Sequence, residues 1–214
     1  MGSNLRSSSL PNETIQEIVY LIGTLKQNVI WKFEGDLTDV PPNLMISKWI
    51  PQSDILAHPN VIMFISHCGM GGTTEAVYYG VPVVGIAIYA DQFLNLKKLS
   101  SFGMAVEIPF QQFSGKSLGT AIDIILQDPK YNKNAKIRSR IMKDRVMEPL
   151  DEAVYWVEYV IRHNGASHLK SSVGSLTWYQ LYLLDVILVI FAIPYILFLL
   201  IRYTIRISSL KHKN

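Results

Sequence analysis

Residues 49–95 read WIPQSDILAHPNVIMFISHCGMGGTTEAVYYGVPVVGIAIYADQFLN, and their alternation decides the fold. Two short, β-branched and nearly all-apolar runs, 61–66 and 83–88, read as strands buried on both faces, because a half-exposed strand would alternate polar and apolar positions. Between and after them, a helix over 72–79 is closed by Gly80 and Pro82, and another over 91–102 by Gly103. Strand, helix, strand, helix in this order is the pattern of a parallel sheet wrapped by helices.

Working outward, further strands are expected over 29–33, 44–47 and 105–108. A helix over 13–26 opens after Asn12 as its cap and places Ile15, Ile18, Val19, Ile22 and Leu25 on one face. Helices over 117–127, 131–146 and 150–163 follow with no strand between them. The predicted organisation is a Rossmann-like α/β domain over 1–163, a polar linker over 164–177, a membrane helix over 178–203 and a basic tail over 204–214.

The membrane helix rests on 181–201, LYLLDVILVIFAIPYILFLLI, whose one charge is Asp185. At about 1.5 Å per residue such a helix is roughly as long as a bilayer's hydrocarbon core is thick, about 30 Å. This tail also accounts for the net charge of +3, since 178–214 hold Arg202, Arg206, Lys211 and Lys213 against Asp185 alone. The rest of the chain is neutral, which argues against nucleic acid as a partner. A single cysteine, Cys68, excludes an internal disulfide and a Cys-rich zinc site.

In open α/β sheets, ligands bind beyond the carboxyl ends of the strands. The loop 66–75, SHCGMGGTTE, carries Gly69, Gly71 and Gly72 at such an end. Glycines let backbone approach a ligand closely, and the following helix offers N–H groups and a positive dipole end to an anion such as phosphate. His67 suits donation to a phosphate oxygen, or a bond to nearby backbone. At the next tip, Asp91 and Gln92, with Asn95 one turn on, pair a carboxylate with an amide, which fits the hydroxyls of a sugar. Asp91 equally suits a helix cap. Trp49 and Gln52 offer a flat stacking face and an amide for a base edge, although an indole is as readily spent on packing.

Taken together, WIPQSDILAHP, FISHCGMGGTTEAVYYGVPVVGIAIYADQFLN and the trailing apolar helix closely resemble the membrane-bound animal UDP-glycosyltransferases, the insect members most of all. The resemblance implies the C-terminal, donor-binding domain of a GT-B fold. It implies that Trp49 stacks on uracil, that Gln52 contacts the nucleoside and that Glu75 accepts from both ribose hydroxyls. His67 and the backbone of Gly69, Gly72 and Thr73 would hold the diphosphate, while Asp91 and Gln92 would hold the sugar, glucose or glucuronic acid. Ser3, with Gly2, resembles a phosphate-touching turn. Gly71 stands where many vertebrate members carry Asn, and Cys68 where animal members usually carry Gly.

The same resemblance implies a UDP-sugar substrate, a small lipophilic acceptor, and neither metal nor cofactor. It places the catalytic base on an N-terminal half preceding Met1, so no catalytic residue is expected in this chain. The alternatives are a silent nucleotide-sugar-binding subunit, or a truncated product needing an acceptor-domain partner. A dinucleotide oxidoreductase is disfavoured, because the first glycine turn does not follow the GxGxxG pattern with an acid about 20 residues on.

Basic residues following the span put the C-terminus in the cytosol, with the domain in the endoplasmic reticulum lumen as in the family. Asn12-Glu13-Thr14 would then be an N-glycosylation site. The polar start, MGSNLRSSSL, admits a tail-anchored alternative with the domain in the cytosol. Asp185 and Pro194 in the span are tolerable there, or mark a helix–helix contact that would suit a homo-oligomer.

Overall fold

The computed structural model describes residues 6–211, so the expectation for Gly2 and Ser3 lies outside the described residues. The elements run α1 (Asn12–Thr24), β1 (Val29–Lys32), β2 (Leu44–Ser47), α2 (Gln52–Ala57), β3 (Phe64–Ser66), α3 (Met70–Tyr79), β4 (Val83–Gly85) and α4 (Gln92–Ser101). There follow β5 (Ala105–Glu107), α5 (Gly115–Gln127), α6 (Lys130–Lys143), α7 (Pro149–Arg162), α8 (Trp178–Leu181) and α9 (Leu184–Lys211). Contacts divide the chain into two compact units, 1–146 and 147–214, and α7 falls in the second.

In the first unit every strand pairing is parallel, β1 with β2 and, in a second ladder, β3-β4-β5. The strands are shorter than expected for definite reasons. Phe64 pairs with Val83 and donates its N–H to the Pro82 carbonyl, and Pro82 has no N–H to return, so 61–63 stay outside the ladder. At the other end β3 stops at Ser66 because the chain turns at Cys68, whose φ is +62°.

Ile30, Met45 and Ile65 leave β1, β2 and β3 exposed on one side, so the run 61–66 is not buried on both faces as expected, whereas both faces of β4 are covered. On one, Ile15, Ile18, Val19 and Ile22 of α1 meet Leu118, Ala121, Ile122 and Ile125 of α5 over Phe33, Leu44, Val84 and Ile86. On the other, Ala76, Leu96, Leu99 and Ala135 of α3, α4 and α6 pack with Val83, Ala87, Met104 and Cys68. Neighbours Val83 and Val84 serve opposite cores, as the two-residue period of a strand requires. Asn12 is the first helical residue of α1, with Pro11 in the capping position. The capping box of Ser114 and Ser117 starts α5 two residues earlier than its apolar pattern does.

The second unit holds α7, a segment with two short 3-10 turns, Ser167–Leu169 and Ser172–Ser175, then α8 and α9. Within α9, residues Leu184–Ile207 are long and apolar enough to cross a membrane.

Gly85 shows how tightly the first unit is packed. A Cβ there would lie 2.2 Å from Leu96 Cδ1 and 2.8 Å from Cys68 Sγ. Gly85→Ala is therefore expected to destabilise the unit by about 1–3 kcal/mol, read as a lower urea midpoint for the full chain in detergent.

Candidate functional site

The carboxyl ends of β2, β3 and β4 are brought together by side chains that reach from one tip to the next. After β2, Trp49 is 73% exposed, so its indole is not spent on packing, and Ser47 Oγ fixes the local turn by donating to the Trp49 carbonyl at 2.6 Å. Gln52 begins α2, a helix of six residues that the sequence pattern did not reveal, being too short for a 3.6 period. That start aims its amide across to α3, where Nε2 donates to Glu75 Oε2 at 2.6 Å. Two residues expected to touch one nucleoside are thus already in contact.

After β3, Ser66 Oγ accepts from the Cys68 N–H at 3.1 Å, and α3 starts at Met70 with Gly69 in the capping position. No side chain caps this end. The N–H groups of the first turn, which an α-helix cannot satisfy itself, are left for another partner. The described residues contain three buried side-chain polar atoms without a hydrogen-bond partner, and two of them are here: His67 Nδ1 and Thr73 Oγ1. Buried polar groups are nearly always satisfied, so orphans beside a helix N-terminus fit a binding site for a hydrogen-bonding anion. Burial lowers the pKa of His67, with the nearby Asp91 charge pulling the other way.

The loop glycines differ in kind. A Cβ at Gly69 would lie 2.7 Å from His67 Nε2, so that glycine is demanded by the imidazole. At Gly72 the nearest atoms would be the Phe64 ring, Gln52 Nε2 and Ser66 Oγ at 3.4–3.6 Å, while at Gly71 there is open space. Cys68 is fully buried, and burial, aided by the Glu107 charge, pushes its thiol up to about 12. It is a packing residue rather than a nucleophile.

After β4, Asp91 is exposed and occupies the capping position of α4, but its carboxylate caps no backbone N–H. Instead Oδ2 accepts from Asn95 Nδ2 at 2.7 Å. Gln92 is only 3% exposed, and its Oε1 accepts from the Ile88 and Tyr89 N–H groups at 2.9 and 3.2 Å. Its carbonyl is thereby used up inside the loop, and its amide nitrogen is the atom those bonds leave over. Asn95, which the sequence places one turn after Asp91 without a role, also donates to the Cys68 carbonyl at 3.0 Å and so joins the β4 tip to the glycine loop. Two described surface cavities, of about 380 and 540 Å³, are lined by β5 with α5 and by α1 with α5. Neither includes the glycine loop.

The family model described as UDP-glucoronosyl and UDP-glucosyl transferase matches residues 1–211. The chain belongs to the UDP-glycosyltransferase family. It is 47% identical over 209 residues to UDP-glycosyltransferase UGT5 of Dactylopius coccus, covering 97% of this chain and 40% of that protein. To UDP-glucuronosyltransferase 2B1 of Rattus norvegicus it is 41% identical over 188 residues, 87% of this chain and 35% of the relative. The chain thus spans about 40% or less of the length of these UDP-glycosyltransferases.

Among solved structures, it is similar to the glycotransferase of kitacinnamycin, with a TM-score of 0.54 and 25% identity, over 64% of this chain and 37% of that one. Glycosyltransferase VinC, solved with dTDP, gives 0.56 and 18% over 59% and 33%. These neighbours are GT-B glycosyltransferases, so the GT-B expectation holds for this UDP-glycosyltransferase chain.

The unequal glycines lead to a direct test. Gly69→Ala is expected to move the His67 imidazole resonances, because the ring must yield to the new methyl, whereas Gly71→Asn leaves them and the unfolding midpoint unchanged. Two-dimensional NMR of the histidine side chains, assigned with His67→Gln, distinguishes the two.

Proposed function

We propose that this chain is the donor-binding part of a UDP-glycosyltransferase that moves glucose or glucuronic acid from a UDP-sugar to a small lipophilic acceptor. The observation that carries the reading is the pair of orphaned buried atoms, His67 Nδ1 and Thr73 Oγ1, at the uncapped start of α3. A diphosphate supplies acceptors for both and for the first-turn N–H groups.

Around that anion the other contacts fall into place. The exposed face of Trp49 stacks on the base and Gln52 reaches its edge. Glu75 accepts from the ribose hydroxyls through the oxygen that Gln52 does not hold. Asp91 faces the sugar. Gln92 acts on the sugar only through its amide nitrogen, and otherwise shapes the loop that presents Asp91. As the acceptor oxygen attacks the anomeric carbon, negative charge grows on the departing diphosphate. Fixed dipoles at the start of α3 stabilise that charge without reorganising. The acceptor pocket and the base that deprotonates the acceptor are assigned to the part of the relatives' length that this chain does not span.

We assign the donor domain to 1–163, the linker to the residues that follow it and a cytosolic tail to the residues after the span, with the domain in the lumen of the endoplasmic reticulum. The span itself starts at Leu184 and not at 178 as expected, because Leu183, at φ +55°, separates α8 from α9. Arg202 and Arg206 just beyond the apolar stretch support that orientation. Asn12 is exposed in the first turn of α1, where a glycan meets no obstruction.

Calorimetric titration of the full chain in detergent with UDP tests the site. Trp49→Ala and Glu75→Ala are each expected to weaken binding about fivefold or more, since a base–aromatic stack or a charge-assisted hydrogen bond contributes roughly 1–3 kcal/mol. Trp49 is exposed, so its loss leaves the fold intact, and unchanged affinity in both variants removes the basis of the assignment. For topology, the chain made in cells is expected to show a glycosidase-sensitive mobility shift that Asn12→Gln abolishes. A chain that never carries the shift leaves the lumenal placement without this support.

A further inference from the structure

We propose that α8 is an interfacial helix, lying in the plane of the lipid headgroups and setting the depth at which α9 enters the bilayer. This rests on reading α9 as a membrane span, and it adds a binding surface and a ligand, the glycerophospholipid headgroup and carbonyl layer.

The four residues Trp178–Leu181 are far too few to hold a helix in water by themselves. A capping box holds them, with Gln180 Oε1 accepting from both the N–H and the hydroxyl of Thr177 at 3.0 and 2.8 Å. What this local structure displays is aromatic. Trp178, Tyr179 and Tyr182 are exposed, and the first two rings meet edge to face with centroids 5.9 Å apart. Among the described residues no hydrogen bond is donated by the indole N–H of Trp178 or by the phenol O–H of Tyr179 or Tyr182. Large apolar rings with unspent N–H and O–H donors suit the boundary where hydrocarbon gives way to lipid carbonyls and phosphates.

The chain then breaks. Leu183 has φ +55°, a conformation bulky side chains rarely adopt, so α8 does not continue into α9 as one helix. From Leu184 to Tyr203 a helix rises about 30 Å, the thickness of the hydrocarbon core. Tyr182 stands just before one end of that length, and Tyr203 with Arg202 and Arg206 marks the other. Asp185, whose Oδ1 accepts from the Val186 N–H, is thereby kept at the wet edge.

The experiment reconstitutes the full chain and its Trp178→Phe variant into phosphatidylcholine vesicles brominated either near the headgroup or deep in the acyl chains. The difference between the two emission spectra isolates Trp178. It is expected to be blue-shifted and quenched about twofold more by the shallow label than by the deep one, as for indoles at the membrane interface. A Trp178 signal that neither label quenches, or that the deep label quenches more, overturns the proposal. Alkaline carbonate extraction of the same vesicles separates the two readings. Release of the chain refutes the span itself, and with it the proposal, while retention with an unquenched Trp178 refutes the interfacial helix alone.

Discussion

The buried carboxamide of Asn95 is the tie on which the site depends. Its two N–H bonds, to the Cys68 carbonyl and the Asp91 carboxylate, hold the end of β3 against the start of α4, two points far apart in sequence. The tie matters because both turns are conformationally unfavourable. Cys68, two residues past β3, and Ala90, in the turn that leads into α4, have φ of +62° and +55° without being glycine. Each such residue costs on the order of 1–2 kcal/mol. They persist because neighbouring side chains over-determine them: Ser66 Oγ holds the Cys68 N–H, and Gln92 Oε1 holds the two N–H groups before Ala90. Side-chain oxygens thus replace the backbone partners that the strands lose where their ladders end.

Once the turns are fixed, packing determines what remains exposed. The Cys68 side chain points into the core under α4, occupying the space that the missing Cβ of Gly85 leaves. His67 is turned the other way, against Gly69, into the space above the start of α3. One residue of the pair is sealed and chemically silent, and its neighbour keeps an unsatisfied nitrogen. A glycine at 68 would relieve the backbone but leave the volume over Gly85 unfilled. The thiol is a compromise between strain and packing.

The strands were legible because their runs are nearly all apolar, and because Gly80, Pro82 and Gly103 punctuate the chain sharply. The segments around His67 and Asp91 follow the paired strands β3 and β4, whereas β2, which leads to Trp49, pairs with β1 in a separate ladder and is tied to α3 through the Gln52–Glu75 bond. The linkers were not legible. That Gln52 opens a helix and bonds Glu75, and that Gln92 turns inward while Asp91 stays out, depend on side-chain directions that spacing does not encode. The division at 146 was equally hidden, because α6 and α7 carry similar amphipathic patterns while only contacts assign α7 to the second unit.

On the proposed reading, the site meets a doubly charged leaving group without a cation. The loop 66–75 contains no Lys or Arg, the residues before the apolar tail are neutral overall, and burial lowers the pKa of His67. Attraction must therefore come from oriented dipoles: the first-turn N–H groups of α3, an imidazole N–H and the Thr73 hydroxyl. Such groups act only at short range and only in one geometry, whereas a lysine on a flexible stem attracts anions over a Debye length. This explains why so much of the local structure, including two strained residues, is spent on holding backbone in place. A site that recognises phosphate by amide direction tolerates little movement of the loop, and the Asn95 tie is what denies it that movement.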